Sequence, residues 1–458
     1  MKIPNKLLNK YNIPTPRYTS YPPANYFTDQ FDYANCETAL INSNHDKPQN
    51  ISFYVHIPFC PKLCFYCGCN TYISENKKKI RNYVNTLKKE ILYFKSFLDP
   101  NRKVSQIHWG GGTPNYLPIE YIQEIMSIFN SEFQFIENAE IAIECHPGYL
   151  TYKYAEELIK AGFNRMSLGI QDFKADVLKA INRVPAIIPV YEMHHFLKKE
   201  NNISVNLDFI YGLPLQSEKS FRESIEKAAS ISPDRLVTFS YAHVPWLKKS
   251  QLQLEKYGLS NAEKKVKLFE IAYEILGNVG YKSIGLDHFA KEDDELSIAL
   301  KNRSLHRNFQ GYCTRETTGQ VYAVGVSGIS QLEGAYLQNT KDIDIYIQML
   351  GNNQFPIEKI YFLTKEEQII REVINELMCN LYLDWNNISN KFNTSVTEIK
   401  SILKYREDSL QSFINEGLLE NIEGNINITE IGKFFIRNIA ANFDPKMNNT
   451  EKNFSKAI

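Results

Sequence analysis

The stretch whose reading decides the fold is Tyr54-Val55-His56-Ile57-Pro58-Phe59-Cys60-Pro61-Lys62-Leu63-Cys64-Phe65-Tyr66-Cys67-Gly68-Cys69-Asn70. It gathers four cysteines within ten residues, in a chain of 458 residues that has only eight. Just before it, Ile51-Ser52-Phe53-Tyr54-Val55-His56-Ile57 is β-branched and aromatic and reads as a strand. Pro58 and Pro61 disfavour a regular helix, so the cysteines fall on an irregular loop after that strand. Gly68 lets backbone come close to a bulky ligand, and Phe65 and Tyr66 can shield such a ligand from water. Three readings compete. Buried structural cysteines would not be packed so densely in sequence. A zinc site usually brings two separated Cys-x2-Cys knuckles. An iron–sulfur cluster on Cys60, Cys64 and Cys67 leaves one iron without a protein donor, which points to chemistry rather than electron storage.

Outward from the loop, short apolar strands alternate with helical patterns. Residues 76–97 carry Ile80, Val84, Leu87, Ile91 and Phe94 at helical spacing among lysines. Strands are predicted at 104–109, 140–145, 165–170, 204–210, 235–241 and 282–287. Helices are predicted near 119–129, 152–161, 174–181, 189–199, 218–230 and 261–278. This alternation argues for an α/β fold with a parallel sheet, and so many units favour a full or partial barrel with ligands at the C-terminal strand ends. After about residue 360 the pattern turns helical, at 365–379, 387–391, 396–404 and 408–416. A short strand pair at 418–421 and 425–428 and a helix Thr429–Ala440 give this segment a winged-helix-like order. The predicted domains are an N-terminal arm at 1–50, the barrel at 51–359 and a C-terminal helical domain at 360–458. The arm contains Pro16-Arg17-Tyr18-Thr19-Ser20-Tyr21-Pro22-Pro23, whose tyrosines are expected to pack across a core.

Lys+Arg and Asp+Glu both total 52, so the chain is not the basic protein expected to coat nucleic acid or an acidic membrane. No apolar run approaches the roughly 18 residues a membrane span needs, and no signal-peptide core follows the first lysines. The expected location is cytoplasmic. Eight cysteines are too few and too clustered for a disulfide scaffold.

A second motif, Ile107-His108-Trp109-Gly110-Gly111-Gly112-Thr113-Pro114, ends the next strand and frees backbone to approach a ligand. Later strand ends carry polar residues where a strand would otherwise stay apolar: Glu144, Gln171-Asp172, Asp208 and Tyr241-Ala242-His243. Each alone is more often a satisfied hydrogen-bonding group; together they mark the end of a barrel where a site is built.

The Cys-x3-Cys-x2-Cys loop followed by the glycine motif resembles the radical S-adenosylmethionine (SAM) superfamily. The resemblance implies a partial (β/α)6 TIM-like barrel with extra strands. It also implies one 4Fe–4S cluster on Cys60, Cys64 and Cys67, and SAM cleaved to a 5′-deoxyadenosyl radical. Read end to end, the chain is similar to the oxygen-independent coproporphyrinogen III oxidase (coproporphyrinogen dehydrogenase) family of haem and porphyrin biosynthesis. The segments that carry the likeness include Arg17–Pro22, the cysteine loop, His108–Pro114, Asn164–Phe173, Ile181–Arg183, Asn206–Pro214, Tyr241–Pro245, Asp287–Ala290, His306–Tyr312 and Ile436–Ile439. By matching position, Tyr54, Gly111, Glu144 and Ile329 would contact the cluster-bound SAM. Tyr66, Gly112, Thr113, Gln171, Arg183, Asp208 and Ala242 match positions for a second SAM, while Cys69 matches a cysteine that is not a cluster ligand. No catalytic side chain is implied beyond the cluster and SAM site.

The implied reaction is anaerobic decarboxylation of two propionates of coproporphyrinogen III, fed by an electron donor such as flavodoxin or ferredoxin, in a monomer. Arg17, Arg165, Arg307 and Lys62 are candidate partners for substrate carboxylates by residue type. One stretch departs from the family: Glu144-Cys145-His146-Pro147-Gly148 lacks the usual aliphatic, Asp or Asn, and Arg around its Glu and Pro. Two other readings stand beside the oxidase. A haem chaperone would typically lack both the Tyr18–Tyr21 arm and the Cys69 position, and another radical SAM enzyme acting on tetrapyrroles would open the haem ring.

Overall fold

A computed structural model describes residues 2–314, 319–450, 452 and 454–456, which leaves 315–318 of the anticipated barrel outside the described residues. The chain forms two compact units: Thr28–Leu259 with Glu316–Phe362, and Met1–Phe27 with Ser260–Arg315 and Leu363–Ile458.

The first unit is built on one sheet. Its strands are β1 (Ile51–Ile57), β2 (Lys103–Gly111), β3 (Gln134–Cys145), β4 (Arg165–Gln171), β5 (Ser204–Tyr211), β6 (Arg235–Ser240), β7 (Val321–Val324), β8 (Ile329–Gln331), β9 (Ala335–Asn339) and β10 (Ile357–Phe362). β1 to β6 lie side by side in chain order and pair in parallel. Helices Lys77–Lys95, Ile119–Glu132, Tyr152–Lys160, Ala175–Ala180 with Val190–His195, and Glu218–Ile231 separate them. Consecutive winding is the order of a barrel wall, as predicted, and the wall is not closed. On its other side β1 pairs in parallel with β7, and β8, β9 and β10 follow as antiparallel extra strands.

β1 is apolar because both its faces are covered. Ile51, Phe53, Val55 and Ile57 are buried, with Phe53 in ring contact with Phe129 and Phe133. Helix Lys77–Lys95 starts at Asn76, whose side chain accepts from the Lys79 N–H, and buries Ile80, Val84, Leu87, Ile91 and Phe94 as their spacing requires. Register aligns the strand ends: Ile57 lies opposite Gly111, Glu144 opposite Ser167, Gly169 opposite Asp208, and Tyr211 opposite Ser240. One edge of the sheet therefore collects the residues singled out in sequence.

The second unit contains helices Ala262–Asn278, Lys365–Asn375, Trp385–Phe392, Val396–Ile402 and Gln411–Asn415, with a small sheet of Tyr382–Leu383, Leu419–Ile422 and Asn425–Ile428. The expected hairpin is there, with Leu419 opposite Ile428 and Ile422 opposite Asn425. The arm tyrosines pack as expected. Tyr18 and Tyr21 are buried, and both hydroxyls donate to Asp444 at 3.1 Å. Arg437 donates from Nε to the Pro16 carbonyl at 3.0 Å and from Nη2 to that of Thr15.

Three details depart from the sequence reading. Residues 282–287 do not form one strand; Lys282–Ile284 and His288–Ala290 pair antiparallel. The reversal runs through Gly285 at φ +59, where a Cβ would lie 1.9 Å from the Tyr312 ring, so only glycine fits. The expected helix Thr429–Ala440 is interrupted at Phe435 into Glu430–Phe434 and Ile436–Ala441. Finally, the arm contains helices Asn5–Tyr11 and Tyr33–Asn42. Residues 1–27 and 260–315 share a compact unit with 363–458, a cut different from the linear arm, barrel and C-terminal domain. The bonds from Arg437 and to Asp444 bring the arm into that unit.

Candidate active site

The cysteine loop is closed at its base and held along its length. Phe59–Cys60 pairs in parallel with Tyr72–Ile73, and the Tyr72 N–H donates to the Pro58 carbonyl at 2.7 Å. Between these points the prolines prevent a regular ladder, so side chains from neighbouring segments hold the backbone. Asn182 Nδ2 donates to the Leu63 carbonyl at 2.8 Å, Gln251 Nε2 to that of Tyr66 at 3.0 Å, and Lys248 Nζ to that of Cys69 at 2.6 Å. The Phe65 N–H donates to the Ile181 carbonyl at 3.0 Å, and His56 Nε2 lies 3.0 Å from the Asn70 carbonyl. Phe65 and Tyr66 lean on an apolar cluster that includes Leu178, Ile181, Tyr241 and Leu254.

The thiols themselves stay free of disulfides. Cys60 is buried and accepts from Thr113 Oγ1 at 3.3 Å. Burial pushes the Cys60 thiol up to about 11, against the Thr113 hydrogen bond. Cys64 is half-buried and accepts from Arg183 Nη1 at 3.5 Å. Cys67 is pulled down to about 6, chiefly by a hydrogen bond with Cys69 that outweighs burial, helped by the charges of Lys248 and Arg183. Among the described residues no three His, Cys, Asp or Glu side chains form a ready-made metal-ligand group. The donor set still fits an iron–sulfur cluster: three thiols on one pinned loop, hydroxyl and guanidinium donors aimed at two of them, and glycines alongside.

Those glycines are forced. Gly111 has φ +109, and a Cβ there would sit 2.6 Å from the His56 ring; on Gly112 it would sit 2.7 Å from the Pro58 carbonyl oxygen. The backbone of the glycine motif thus lies directly against the start of the cysteine loop, with the Gly112 N–H on the Ile57 carbonyl at 2.8 Å and that of Thr113 on Phe59 at 2.9 Å. Glu144 at the end of β3 receives His108 Nε2 at 3.1 Å and keeps nearly half its side chain exposed. Tyr54 stacks over His108 and lies 3.0 Å from His56 Nδ1.

Arg183 bridges the loop to β4. Its Nη1 donates to the Tyr66 hydroxyl at 3.0 Å, its Nη2 to the Gly169 carbonyl, and its buried Nε has no hydrogen-bond partner among the described residues. Burial opposes the Arg183 charge, yet Tyr66, Cys64 and Cys67 raise its pKa above the usual value. Gln171, at φ +68, ends β4. Asp208 on β5 accepts from Ser167 Oγ at 2.8 Å. The Ala242 carbonyl accepts from Gln251 at 3.2 Å, and Ile329 opens β8 past the end of β7.

Other candidates have structural partners. Asp172 is buried and accepts from Gln216 at 2.7 Å and Ser224 at 2.9 Å. His243 lies between the Tyr241 hydroxyl at 2.9 Å and Glu255 at 3.0 Å. Arg165 begins β4, at the far end from the cysteine loop, and is ion-paired to Glu140 at 2.6 Å; it is not placed to meet a substrate there. Arg307 is buried in the second unit and donates to the Arg17 carbonyl at 2.6 Å, while the Arg17 and Lys62 side chains are exposed.

The departing stretch 145–148 is explained by packing. Cys145 is buried. His146 Nδ1 accepts the Gly148 N–H at 3.0 Å, and its backbone is held by Asn115 at 2.9 and 3.1 Å. A Cβ on Gly148 would meet the Pro185 carbonyl oxygen and Val184 at 2.9 Å, so no arginine side chain fits there. Burial first, and the Arg183 charge second, push the His146 imidazole down to about 3, so it is neutral. His56, Asn115 and Gln251 are the positioning residues that motif reading passed over. Their bonds to the Asn70, His146 and Tyr66 backbone span 14, 31 and 185 residues, separations that leave no spacing to detect.

Residues 54–228 match the radical SAM superfamily, and residues 363–435 match the HemN C-terminal domain. The chain is 40% identical to the oxygen-independent coproporphyrinogen III oxidase of Synechocystis sp., covering 99% of this chain and 97% of that protein. It is 36% identical to the Escherichia coli protein of the same name, over 96% and 94%. The solved coproporphyrinogen III oxidase (HemN) from Escherichia coli, described as a radical SAM enzyme, superposes with a TM-score of 0.89 at 34% identity, covering 97% of this chain and 99% of that one. With the pinned cysteine loop, the glycine cradle and likeness over its whole length, this chain belongs to the oxygen-independent coproporphyrinogen III oxidase family of radical SAM enzymes.

Proposed function

We propose that this chain converts two propionate side chains of coproporphyrinogen III to vinyl groups without oxygen, giving protoporphyrinogen IX in haem biosynthesis. The observation that carries the reading is the cysteine loop. Its backbone carbonyls are held by Asn182, Gln251 and Lys248, and its thiols, none in a disulfide, stand at the strand edge where the glycine cradle, Glu144 and Arg183 converge. Cys60, Cys64 and Cys67 hold the 4Fe–4S cluster. When bound, the cluster and SAM would supply the radical chemistry that removes one hydrogen atom, CO2 and one electron from each propionate.

The residues of the chain do the rest. Glu144 offers a carboxylate, oriented by His108, to the SAM ammonium; Gly110 leaves room for that carboxylate, and Gly111 contacts the same SAM through its backbone. Tyr54 and Ile329 line the same SAM. A second SAM is held by Tyr66, Gly112, Thr113, Gln171, Arg183, Asp208 and Ala242. Arg183, a guanidinium anchored on Tyr66 and the Gly169 carbonyl, supplies a fixed charge where a carboxylate or sulfur ligand must be oriented. Phe65 and Tyr66 shield the loop from water. In this reading the protein is a cytoplasmic monomer that takes electrons from a small carrier.

The test is an anaerobic assay of reconstituted protein with SAM, a reductant and coproporphyrinogen III. It is expected to release CO2 and yield 5′-deoxyadenosine and protoporphyrinogen IX. SAM cleavage without decarboxylation sinks the oxidase reading. Tight haem binding without SAM turnover would instead mark a chaperone.

A further inference from the structure

We propose that the turn Val244–Gln251 is the docking surface for an acidic one-electron carrier protein that reduces the cluster. The proposal rests on the radical SAM reading above and names the partner of that site. Trp246 and Leu247 are adjacent and 70% and 71% exposed, the two most exposed large apolar side chains of the described residues. Trp246 and Leu247, with the exposed Leu252 just after the turn, form an apolar tip, and Trp is enriched among the side chains that dominate interfaces.

This tip does not sit on a loose loop. Gln251 Oε1 accepts the Val244 N–H at 2.6 Å while its Nε2 donates to the carbonyls of Ala242 and Tyr66. Leu247 and Lys248 both donate their N–H groups to the Val244 carbonyl, at 2.9 and 3.0 Å. Lys248 Nζ then reaches the Cys69 carbonyl at 2.6 Å, two residues beyond Cys67. A partner bound on the tip is thereby set against the cysteine loop itself.

Exposed lysines stand on the turn, on the cysteine loop it is bonded to and on the helix bonded to the same loop; that helix also carries the exposed Asp176. Lys249 on the turn, Lys62 on the cysteine loop and Lys179 on helix Ala175–Ala180, whose following residues Ile181 and Asn182 bond to the cysteine loop, are exposed. None of the three has an ion-pair partner among the described residues. The acidic side chain of this segment, Glu255, is engaged by His243 at 3.0 Å. On a chain of zero net charge, an apolar tip followed directly by Lys248 and Lys249 selects an acidic partner. Redox encounters use small interfaces of this kind. The step moves no atoms: the carrier loses one electron and the cluster gains it, once for each SAM cleaved.

The experiment compares wild-type holoenzyme with the Trp246→Ala/Lys249→Glu variant, using reduced flavodoxin or dithionite as reductant. SAM cleavage driven by flavodoxin is expected to fall about tenfold or more, with dithionite-driven cleavage and iron content unchanged. Direct binding of oxidised flavodoxin should weaken about tenfold, and its salt dependence should flatten. Equal loss with both reductants would assign the turn to substrate, and a change of sedimentation from dimer to monomer would assign it to a second copy; either overturns the proposal. So does wild-type protein that shows no salt-dependent flavodoxin binding. If wild-type protein cleaves no SAM even with dithionite, the failure lies with the proposed reaction, and the binding measurement still decides the surface.

Discussion

Residues 58–72 and residues 14–23 are both irregular and proline-containing, and both are fixed by hydrogen bonds from distant residues, yet they end as opposites. In the cysteine loop the shortest side-chain bonds from outside go to backbone carbonyls, from Asn182, Gln251 and Lys248, while the Cys60 and Cys64 thiols only accept, from Thr113 at 3.3 Å and Arg183 at 3.5 Å. In the arm the side chains themselves are used: the Tyr18 and Tyr21 hydroxyls end on Asp444, while Arg437 takes the carbonyls of Thr15 and Pro16. A segment whose backbone is held from outside presents its side chains to a ligand. A segment whose side chains are already bonded is a strap.

The largest expected effect breaks the comparison on the loop side. Cys64→Ala should abolish cluster assembly, read as loss of bound iron and of 5′-deoxyadenosine formation. Stability should change by less than about 1 kcal/mol, because the half-buried thiol fills no core space. Unchanged iron content would overturn the ligand assignment. The next effect falls on the strap. Arg437→Met leaves buried carbonyls of Thr15 and Pro16 without their donor and should cost about 3 kcal/mol in urea unfolding. Iron content of the folded fraction should stay at the wild-type value.

Sequence and structure agree where a pattern is local. The β1 strand, the helix Lys77–Lys95 and the hairpin Leu419–Ile422/Asn425–Ile428 follow from periodicity and turn chemistry within one window of sequence. The cysteine and glycine motifs were legible because a ligand constrains their spacing. Arg165 was misread because residue type says nothing about position along a strand: it opens β4 beside Glu140, whereas Gln171, six residues on, closes it. The break at Gly285 and the arm's place with residues 363–458 depend on Tyr312, Arg437 and Asp444, partners too distant for any periodicity to reveal.

A buried polar group beside the turn after β7 sharpens the contrast. Glu90 is buried and accepts from the Gly325 N–H and Asn339 Nδ2, each at 2.7 Å, and from Tyr346 Oη at 2.5 Å. Tyr83 Oη donates to the His56 carbonyl at 2.7 Å and accepts the Val326 N–H at 3.1 Å, tying the end of β1 to the turn after β7. Burial pushes the Glu90 carboxyl from its ordinary 4.5 up to about 7, against these hydrogen bonds. Below pH 4.5 both folded and unfolded chains hold this proton. Between 4.5 and about 7 only the folded chain does, so unfolding releases it and stability falls as pH rises through that window. The full difference is about 3 kcal/mol, and Glu90→Gln should flatten the slope of urea midpoint against pH between 5 and 7. A slope equal to that of the wild type would show that Glu90 titrates normally.

The smallest effect tests whether the strap is only a strap. Asp444 Oδ1 accepts from Tyr21 and from the Lys446 N–H at 2.9 Å, whereas Oδ2 is met by Tyr18. Tyr21→Phe therefore leaves Oδ1 with a donor and should cost about 1 kcal/mol. Tyr18→Phe strips Oδ2 in a buried place and should cost more, because an unmet buried acceptor keeps its desolvation penalty. The double variant should lose less than the sum, since both hydroxyls serve one carboxylate. Iron content and the KM for SAM should match wild type in all three. Either one moving with the tyrosines would show that the arm shapes the site, and its side chains would then count with the thiols of the loop.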